Sequence, residues 1–511
     1  MKKRILPVAT VAIAAVALAG CSNGSGSTGG SGGGDTIDTL TIMAPYLSTA
    51  APAADNDVEL ALEDVVGAKL DITWVPNASY GDKTNITLAG DDIPHVMVIG
   101  AKTASFVKNA EAGGFWDLTD KLDDYEYLKT TFPEVEKASS VNGSVYGIFR
   151  MRDTMRTSVT IRTDWLENLG LDMPETTEDL YNVAKAFTEQ DPDGNGQDDT
   201  YGIAIPKWPG GIGTNSPFDA IETWYGSGNR YTERDGELVA AFDTDEWLDA
   251  VDFEKDLVDS GYINSDFATL DPTKWNEPFL NGQAGIIIDT YSRSGQITGL
   301  MKELDPDNWA DKVDFTGNLA GPDGVMRALP TTGYSGFLAI PKAKVQTEEQ
   351  LDQVLTILNK MNSPEAGPII NNGIEGVHYT LEDGLAVGIT DVSEDESNAS
   401  KSIAQLGMNV QGGLGLDAKQ PTEIEQERWD KRQKLEESDY ANAVIDPTAP
   451  YVSDTYVAKG AQIDLIVGDA RLKYLAGQIS KDDLISEIAR WHAEGGDAIL
   501  EELNTLAAAD K

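Results

Sequence analysis

The chain has a single cysteine, Cys21, in 511 residues. One thiol can form neither an intrachain disulfide nor a cysteine metal cluster. Its three histidines, His95, His378 and His492, are widely separated, and none has a second histidine at helical or loop ligand spacing. The usual zinc signatures and a Cys–His nucleophile pair are therefore absent. Cationic side chains are also scarce: 39 Lys and Arg stand against 85 Asp and Glu, for a formal net charge of −46. Such a chain repels phosphate backbones, which excludes nucleic acid as a partner. Beyond residue 19, no run approaches the roughly 18 consecutive apolar residues that a membrane-crossing helix needs. There is no Gly-x-Ser-x-Gly elbow with a fitting histidine, no phosphate loop and no His-Glu-x-x-His. Paired carboxylates such as Asp91-Asp92 and Glu436-Glu437 are unavoidable in this composition and signal nothing alone. A glycoside hydrolase, which needs only two carboxylates, stays open as an alternative.

What is present is enough to build real cores: 41% hydrophobic residues, ten Trp and 17 Tyr. The length exceeds one compact core, so two or more lobes are expected. Lys2, Lys3 and Arg4 precede an apolar run over 5–19, about fifteen residues and short for a bilayer. The run ends in Leu18-Ala19-Gly20-Cys21, which resembles a bacterial lipobox. That signal implies cleavage before Cys21, whose thiol would carry a diacylglycerol with palmitate-type chains. An ordinary signal peptide with an incidental cysteine is the alternative, and the position of the only cysteine argues against it. Residues 1–20 thus read as a lipoprotein signal peptide and 21–35 as a Gly/Ser tether, with a coil reach of about 20 Å.

Further along, 39–44 (TLTIMA) reads as a strand, followed by a helical stretch over 58–68 and a strand over 70–76. Residues 95–100 (HVMVIG) have the near-continuous apolar character of a buried parallel strand. Together these form a βαβ arrangement whose ligand crevice lies at the carboxyl ends of the strands. Thr176-x-x-Asp179, Thr347-x-x-Gln350 and Ser480-x-x-Asp483 open amphipathic helices. The last of these runs through Trp491 before Gly495-Gly496 interrupts it. Residues 285–289 and 337–341 read as buried strands, and the acidic stretch 391–400 reads as a solvated loop.

Five segments carry a family resemblance: LAGDDIPHV (88–96), VNGSVYGI (141–148), IRTDWLENLGL (161–171), FLNGQAGIII (279–288) and GIEGVHY (373–379). With the lipobox and tether, this ordered set resembles the family 1 extracellular solute-binding lipoproteins of carbohydrate ABC importers, in their LipO-like branch. The resemblance implies an α/β, two-lobe periplasmic-binding-protein-like fold of type II style, with hinge crossovers. Residues 36–149 plus about 330–380 would form one lobe, and about 150–329 plus 381–511 the other. It also implies a monomeric, non-enzymatic protein on the extracellular face of the bacterial cytoplasmic membrane. By lobe closure it would capture a carbohydrate, an oligosaccharide by preference, and pass it to an ABC permease. A binding protein for a peptide or another small polar solute, and a purely structural lipoprotein, are the other classes to separate.

Candidate site residues follow from the chemistry of sugars, whose C–H faces stack on aromatic rings and whose hydroxyls pair with planar polar groups. Trp208, Trp224, Trp275 and Tyr291 are expected from the second lobe, and Tyr46 and Tyr334 from the first lobe or a crossover. Trp165, Trp429 and Trp491 sit within helical patterns and are assigned to packing. Arg150, at the expected crossover, reads either as a ligand partner or as one half of a hinge ion pair. At −46 the chain attracts anions poorly over distance, so a neutral sugar is expected unless a local arginine overrides the field. The segment 191–200 (DPDGNGQDDT) places Asp191, Asp193, Asn195, Gln197 and Asp199 at the alternating spacing with which a loop wraps Ca²⁺. Position 12 is Gly202, where a full EF-hand has a bidentate glutamate, and a metal-free polar turn is the alternative.

Overall fold

The computed structural model describes residues 37–48, 50–208 and 211–510. The leader, Cys21 and the Gly/Ser tether lie outside the described residues. Among the described residues, no helix is long and apolar enough to cross a membrane. In chain order the strands are β1 (Thr39–Tyr46), β2 (Lys69–Pro76), β3 (Val96–Ile99), β4 (Ile148–Met151), β5 (Thr157–Ile161), β6 (Tyr201–Ile203), β7 (Tyr231–Arg234), β8 (Glu237–Ala240), β9 (Ala284–Thr290), β10 (Asp314–Thr316), β11 (Tyr334–Ala339), β12 (Tyr379–Glu382) and β13 (Leu385–Gly388). They build a sheet ordered β2-β1-β3-β11-β4, a second ordered β10-β5-β9-β6, and the two small pairs β7-β8 and β12-β13.

The apolar runs explain the central strands. All four residues of β3 and the first five of β9 are buried, as strands covered on both faces require. In β9 the strand period of two sorts the isoleucines. Ile286 and Ile288 join one core and Ile287 joins another on the opposite face, with Trp275, Phe279 and Ile297. Gly285 is small for a steric reason: a Cβ there would sit 2.1 Å from the Phe187 ring. Phe187 itself packs edge-on against Trp165, with centroids 5.2 Å apart. The helix Thr177–Glu189 is thereby held close to the sheet, and its capping box between Thr176 and Asp179 forms as the sequence suggests.

Each sheet organises its own core. Leu40, Ile42, Val96, Phe106, Phe337 and Leu358 belong to the first, and Val159, Trp165, Trp224, Trp247, Ile286 and Trp491 to the second. The result is a two-lobe α/β fold of the periplasmic-binding-protein kind. Two sequence expectations are corrected. Residues 394–403 form a helix, Glu394–Ile403, opened by a capping box between Ser393 and Glu396. Its Ala399 and Ile403, followed by Leu406, Met408 and Val410, pack into the first core, although the expected boundary at 380/381 assigned them to the second.

The chain passes from β4 to β5 through 152–156 and returns from β10 to β11 through 317–333. These passes bond to each other: the Arg152 amide donates to the Gly333 carbonyl, and the Thr331 amide to the Thr154 carbonyl, both at 2.9 Å. A later segment joins them where the Val444 amide donates to the Ala328 carbonyl at 2.9 Å. Extended backbone bridged in this way can bend while keeping its hydrogen bonds, as a hinge must.

Candidate functional site

Because β6 and β9 run parallel, their carboxyl ends emerge together, and antiparallel β5 begins beside them. A cavity of about 470 Å³ opens at this edge, lined by Arg156, Trp208, Asn215, Asp289, Arg293 and Thr331, among others. Trp208 is half-buried and stands edge-on to Trp275, with ring centroids 5.8 Å apart at 84°. Trp275 is 1% exposed; its indole N–H donates to the Ala204 carbonyl at 2.8 Å, and the Arg293 guanidinium lies 4.2 Å from its ring centroid. Arg293 is fixed in turn by an ion pair with Asp289 and a 2.8 Å hydrogen bond to Asn276 Oδ1. This stack of side chains presents Trp208 to the cavity as a braced ring.

The opposite wall is the start of the helix Pro217–Tyr225. Asp219 accepts from the amides of Thr214 and Ser216 at 2.8 and 2.9 Å and so ties down the loop before the helix. Its other oxygen accepts from Arg471 Nη1 at 2.9 Å, in a charge cluster that also holds Glu222. Burial and the nearby Asp219 charge push the Glu222 carboxyl up to about 7 despite Arg471. Glu254 lies in the same cluster, with neither carboxyl oxygen bonded among the described residues, and its carboxyl is held well above the usual range.

Two further cavities continue along the crossovers. One of about 130 Å³ shares Asn215 and Thr331 with the first. It shares Arg230 and Asp446 with a third, of about 250 Å³, which is lined by Lys102, Tyr334 and Tyr456. Lys102, in the turn after β3, donates to the carbonyls of Ala138 and Ser140, both at 2.9 Å, and burial pulls its pKa down to about 8. The three cavities thus adjoin through shared lining residues; Trp208 lines the first, and the third takes Lys102 and Tyr334 from the first lobe with Arg230 and Tyr456 from the second.

The expected aromatics divide by burial. Tyr46, Trp208 and Tyr334 are half-buried, and Trp208 and Tyr334 each line a cavity. Tyr334 is placed by a bulge in β11, where Gly336 adopts φ +76° and a Cβ would sit 2.1 Å from the Ile99 carbonyl oxygen. Trp224, Trp275 and Tyr291 are corrections, at 0%, 1% and 4% exposed. Trp224 donates its indole N–H to Asn318 Oδ1 at 2.9 Å, and Tyr291 packs edge-on to Phe315 with its hydroxyl toward Asp439. A ring enclosed on both faces cannot stack on a ligand. Trp165 and Trp491 are core residues, whereas Trp429 is half-buried under Arg432.

Among the described residues, Arg150 makes no ion pair. Its guanidinium donates to the Ser335 carbonyl and to Gln405 Oε1, each at 2.9 Å, and burial pulls its pKa down to about 10. Arg156, Asn215, Asp289 and Arg293 are lining residues that sequence reading passed over. The available signal was Arg150, Arg152 and Arg156 within seven positions of a chain otherwise poor in cations.

The 191–200 loop curls as its glycines suggest, with Gly194 and Gly196 at φ +68° and +78°. Asp191 accepts from the amides of Asn195 and Gly196, each at 3.0 Å. The Asn195 side-chain amide donates to Asp193 at 2.8 Å and to Asp199 at 3.2 Å, so the two carboxylates share one donor. Gln197 contributes its backbone amide, which donates to Asn195 Oδ1 at 2.7 Å. Among the described residues, no group of three or more His, Cys, Asp or Glu side chains is arranged to hold a metal ion. The donors fit a hard cation in kind, being oxygens of Asp, Asn and Gln side chains.

Two lobes, bridged crossovers and cavities strung along those crossovers are the build of a solute-binding protein. The chain belongs to the family described as bacterial extracellular solute-binding protein, which residues 29–368 match. It is 44% identical over 474 residues to lipoprotein LipO of Bacillus subtilis (strain 168), covering 93% of both chains. It is 30% identical to the polygalacturonan/rhamnogalacturonan-binding protein YtcQ of the same organism, over 88% of each. Among solved structures, an extracellular solute-binding protein from Bifidobacterium longum subsp. infantis superimposes with a TM-score of 0.70. That likeness covers 92% of this chain and 98% of the other at 18% identity, and it bears on the fold alone.

Proposed function

We propose that this protein is the lipid-anchored, extracellular receptor of an ABC importer, capturing a carbohydrate between its lobes and delivering it to the permease. The observation that carries the reading is the braced Trp208 ring beside planar polar side chains in a cavity at the edge of the second sheet and the crossovers. A pyranose ring offers the matching apolar face and hydroxyl edge. A relative named for polygalacturonan and rhamnogalacturonan binding, at 30% identity, supports the ligand class. Three adjoining cavities suit a chain of several rings better than a monosaccharide.

The mechanism is conformational rather than chemical. A ligand held by Trp208 on one side and by Tyr46 and Tyr334 on the other binds the closed form more tightly, and that difference shifts the lobes. Moving such an equilibrium from about 1% to 99% closed takes about 5.5 kcal/mol of preference, within reach of two or three ring stacks with their hydrogen bonds. Cys21 supplies the anchor, and the 191–200 loop serves as a calcium clip on the second lobe, with Asp191, Asp193, Asn195, Gln197 and Asp199 as donors. The test is a panel of oligosaccharides in thermal-shift assays with chromatography of each mixture. The expected outcome is a saturable shift with the sugar recovered intact. New products would make it a glycoside hydrolase, and a response confined to peptides would replace the ligand class.

A further inference from the structure

We propose that Arg156 is a carboxylate-binding subsite, so that the captured sugar is a uronate oligosaccharide rather than a neutral one. This rests on the carbohydrate reading above and narrows it. Arg156 immediately precedes β5, and its carbonyl accepts from the Tyr291 amide at 2.8 Å, so its backbone is fixed at the edge of the sheet. Its side chain is half-buried and lines the 470 Å³ cavity in company with Trp208.

The neighbouring arginines are all answered. Arg293 has Asp289 and Asn276, Arg432 has Glu436 and Asp153, Arg150 has Ser335 and Gln405, and Arg152 donates to Ser335 Oγ at 3.1 Å. The Arg156 guanidinium has no hydrogen bond and no ion pair with any described residue, in a protein where acids outnumber bases 85 to 39. Its surroundings do not supply the missing anion. Burial and the like charges of Arg152 and Arg432 disfavour its protonated form, opposed by Asp153 and Asp289, which are already engaged with Arg432 and Arg293. Within the cavity, two arginines face one aspartate, leaving a positive excess inside a molecule of net −46.

A half-buried guanidinium without a partner leaves a planar fork of donors that a carboxylate matches in two parallel hydrogen bonds. A sugar acid stacked on Trp208 can present its carboxylate to that fork, while the hydroxyls of a neutral ring leave the charge unanswered. The unfavourable field of the whole protein acts mainly on the rate of encounter and is screened beyond about 10 Å at ordinary salt. Bound affinity is set inside the cavity.

Calorimetric titration with trigalacturonate and with its carboxyl-reduced, neutral counterpart decides the matter. Trigalacturonate should bind the wild-type protein about tenfold or more tightly than the reduced trisaccharide, as expected for a charge-assisted, two-pronged contact. Arg156→Gln should remove that advantage, and Arg156→Lys should retain part of it, with melting curves checking the fold. Equal affinity for the two trisaccharides, or an intact Arg156→Gln variant that binds trigalacturonate as before, overturns the subsite. If only neutral sugars bind, the subsite falls and the carbohydrate reading stands. If no sugar of either kind binds, both fall. Should Arg156→Gln not fold, the comparison of the two trisaccharides on wild-type protein still decides.

Discussion

Trp208 and Trp275 touch each other, yet they should fail in different ways when truncated. Trp208 is half-buried and lines the cavity; Trp275 is 1% exposed and braces it edge-on. Trp208→Ala removes the platform. A stacked ring is worth about 1–3 kcal/mol through the area it covers and its quadrupole, so affinity should fall about five- to 150-fold. Its loss to stability should be small, since the edge-on contact with Trp275 at 5.8 Å is worth about 0.5–1.5 kcal/mol. Trp275→Ala opens a cavity in the core, removes the ring beneath Arg293 and leaves the Ala204 carbonyl without its donor. The expected cost is about 3–5 kcal/mol of stability, with affinity affected only as the Trp208 ring loses its support. Denaturant melts paired with calorimetric titration of the best carbohydrate separate the two. A folded Trp208→Ala protein that binds like wild type would refute the reasoning.

The remaining expectations concern other parts of the molecule. Glu222 holds its proton up to about pH 7 in the folded state, whereas an unfolded glutamate releases it near 4.5, so its contribution to stability declines as pH rises through that window. Glu222→Gln should flatten that decline, so the variant gains on wild type between pH 4.5 and 8; parallel stability–pH curves would contradict this. Calcium at a hundredfold excess over its Kd should stabilise the protein by about 2.7 kcal/mol. EDTA should reverse the gain and Asp193→Ala abolish it, whereas identical melting with calcium and chelator would leave a plain turn. Cys21→Ser should move the protein out of the detergent-extracted membrane fraction, and unchanged partitioning would dismiss the lipobox.

Much of this fold is written locally. The capping boxes at Thr176 and Ser480 formed because each needs only a side chain and a backbone amide three residues away. Strands β3 and β9 were legible because continuous apolar runs of that length have few other uses. The helix Glu394–Ile403 was missed because its acids mask the face that Ala399 and Ile403 bury, although Ser393 and Glu396 carry the same box that succeeded elsewhere. The site was harder. That Trp208 and Trp224 both fall near element ends is visible in sequence; that one ring faces solvent and the other reaches Asn318 across 94 residues is decided by packing. Arg156 was overlooked for the opposite reason. What distinguishes it is the lack of any partner for its guanidinium among the described residues, which no local pattern records.

The central claim is that two lobes close on an intact carbohydrate, and solution X-ray scattering with and without a saturating oligosaccharide tests it most directly. A smaller radius of gyration is expected with the sugar bound, reversed on dialysis, with the sugar recovered uncleaved. An unchanged scattering curve at saturation, established by calorimetry on the same sample, would contradict it.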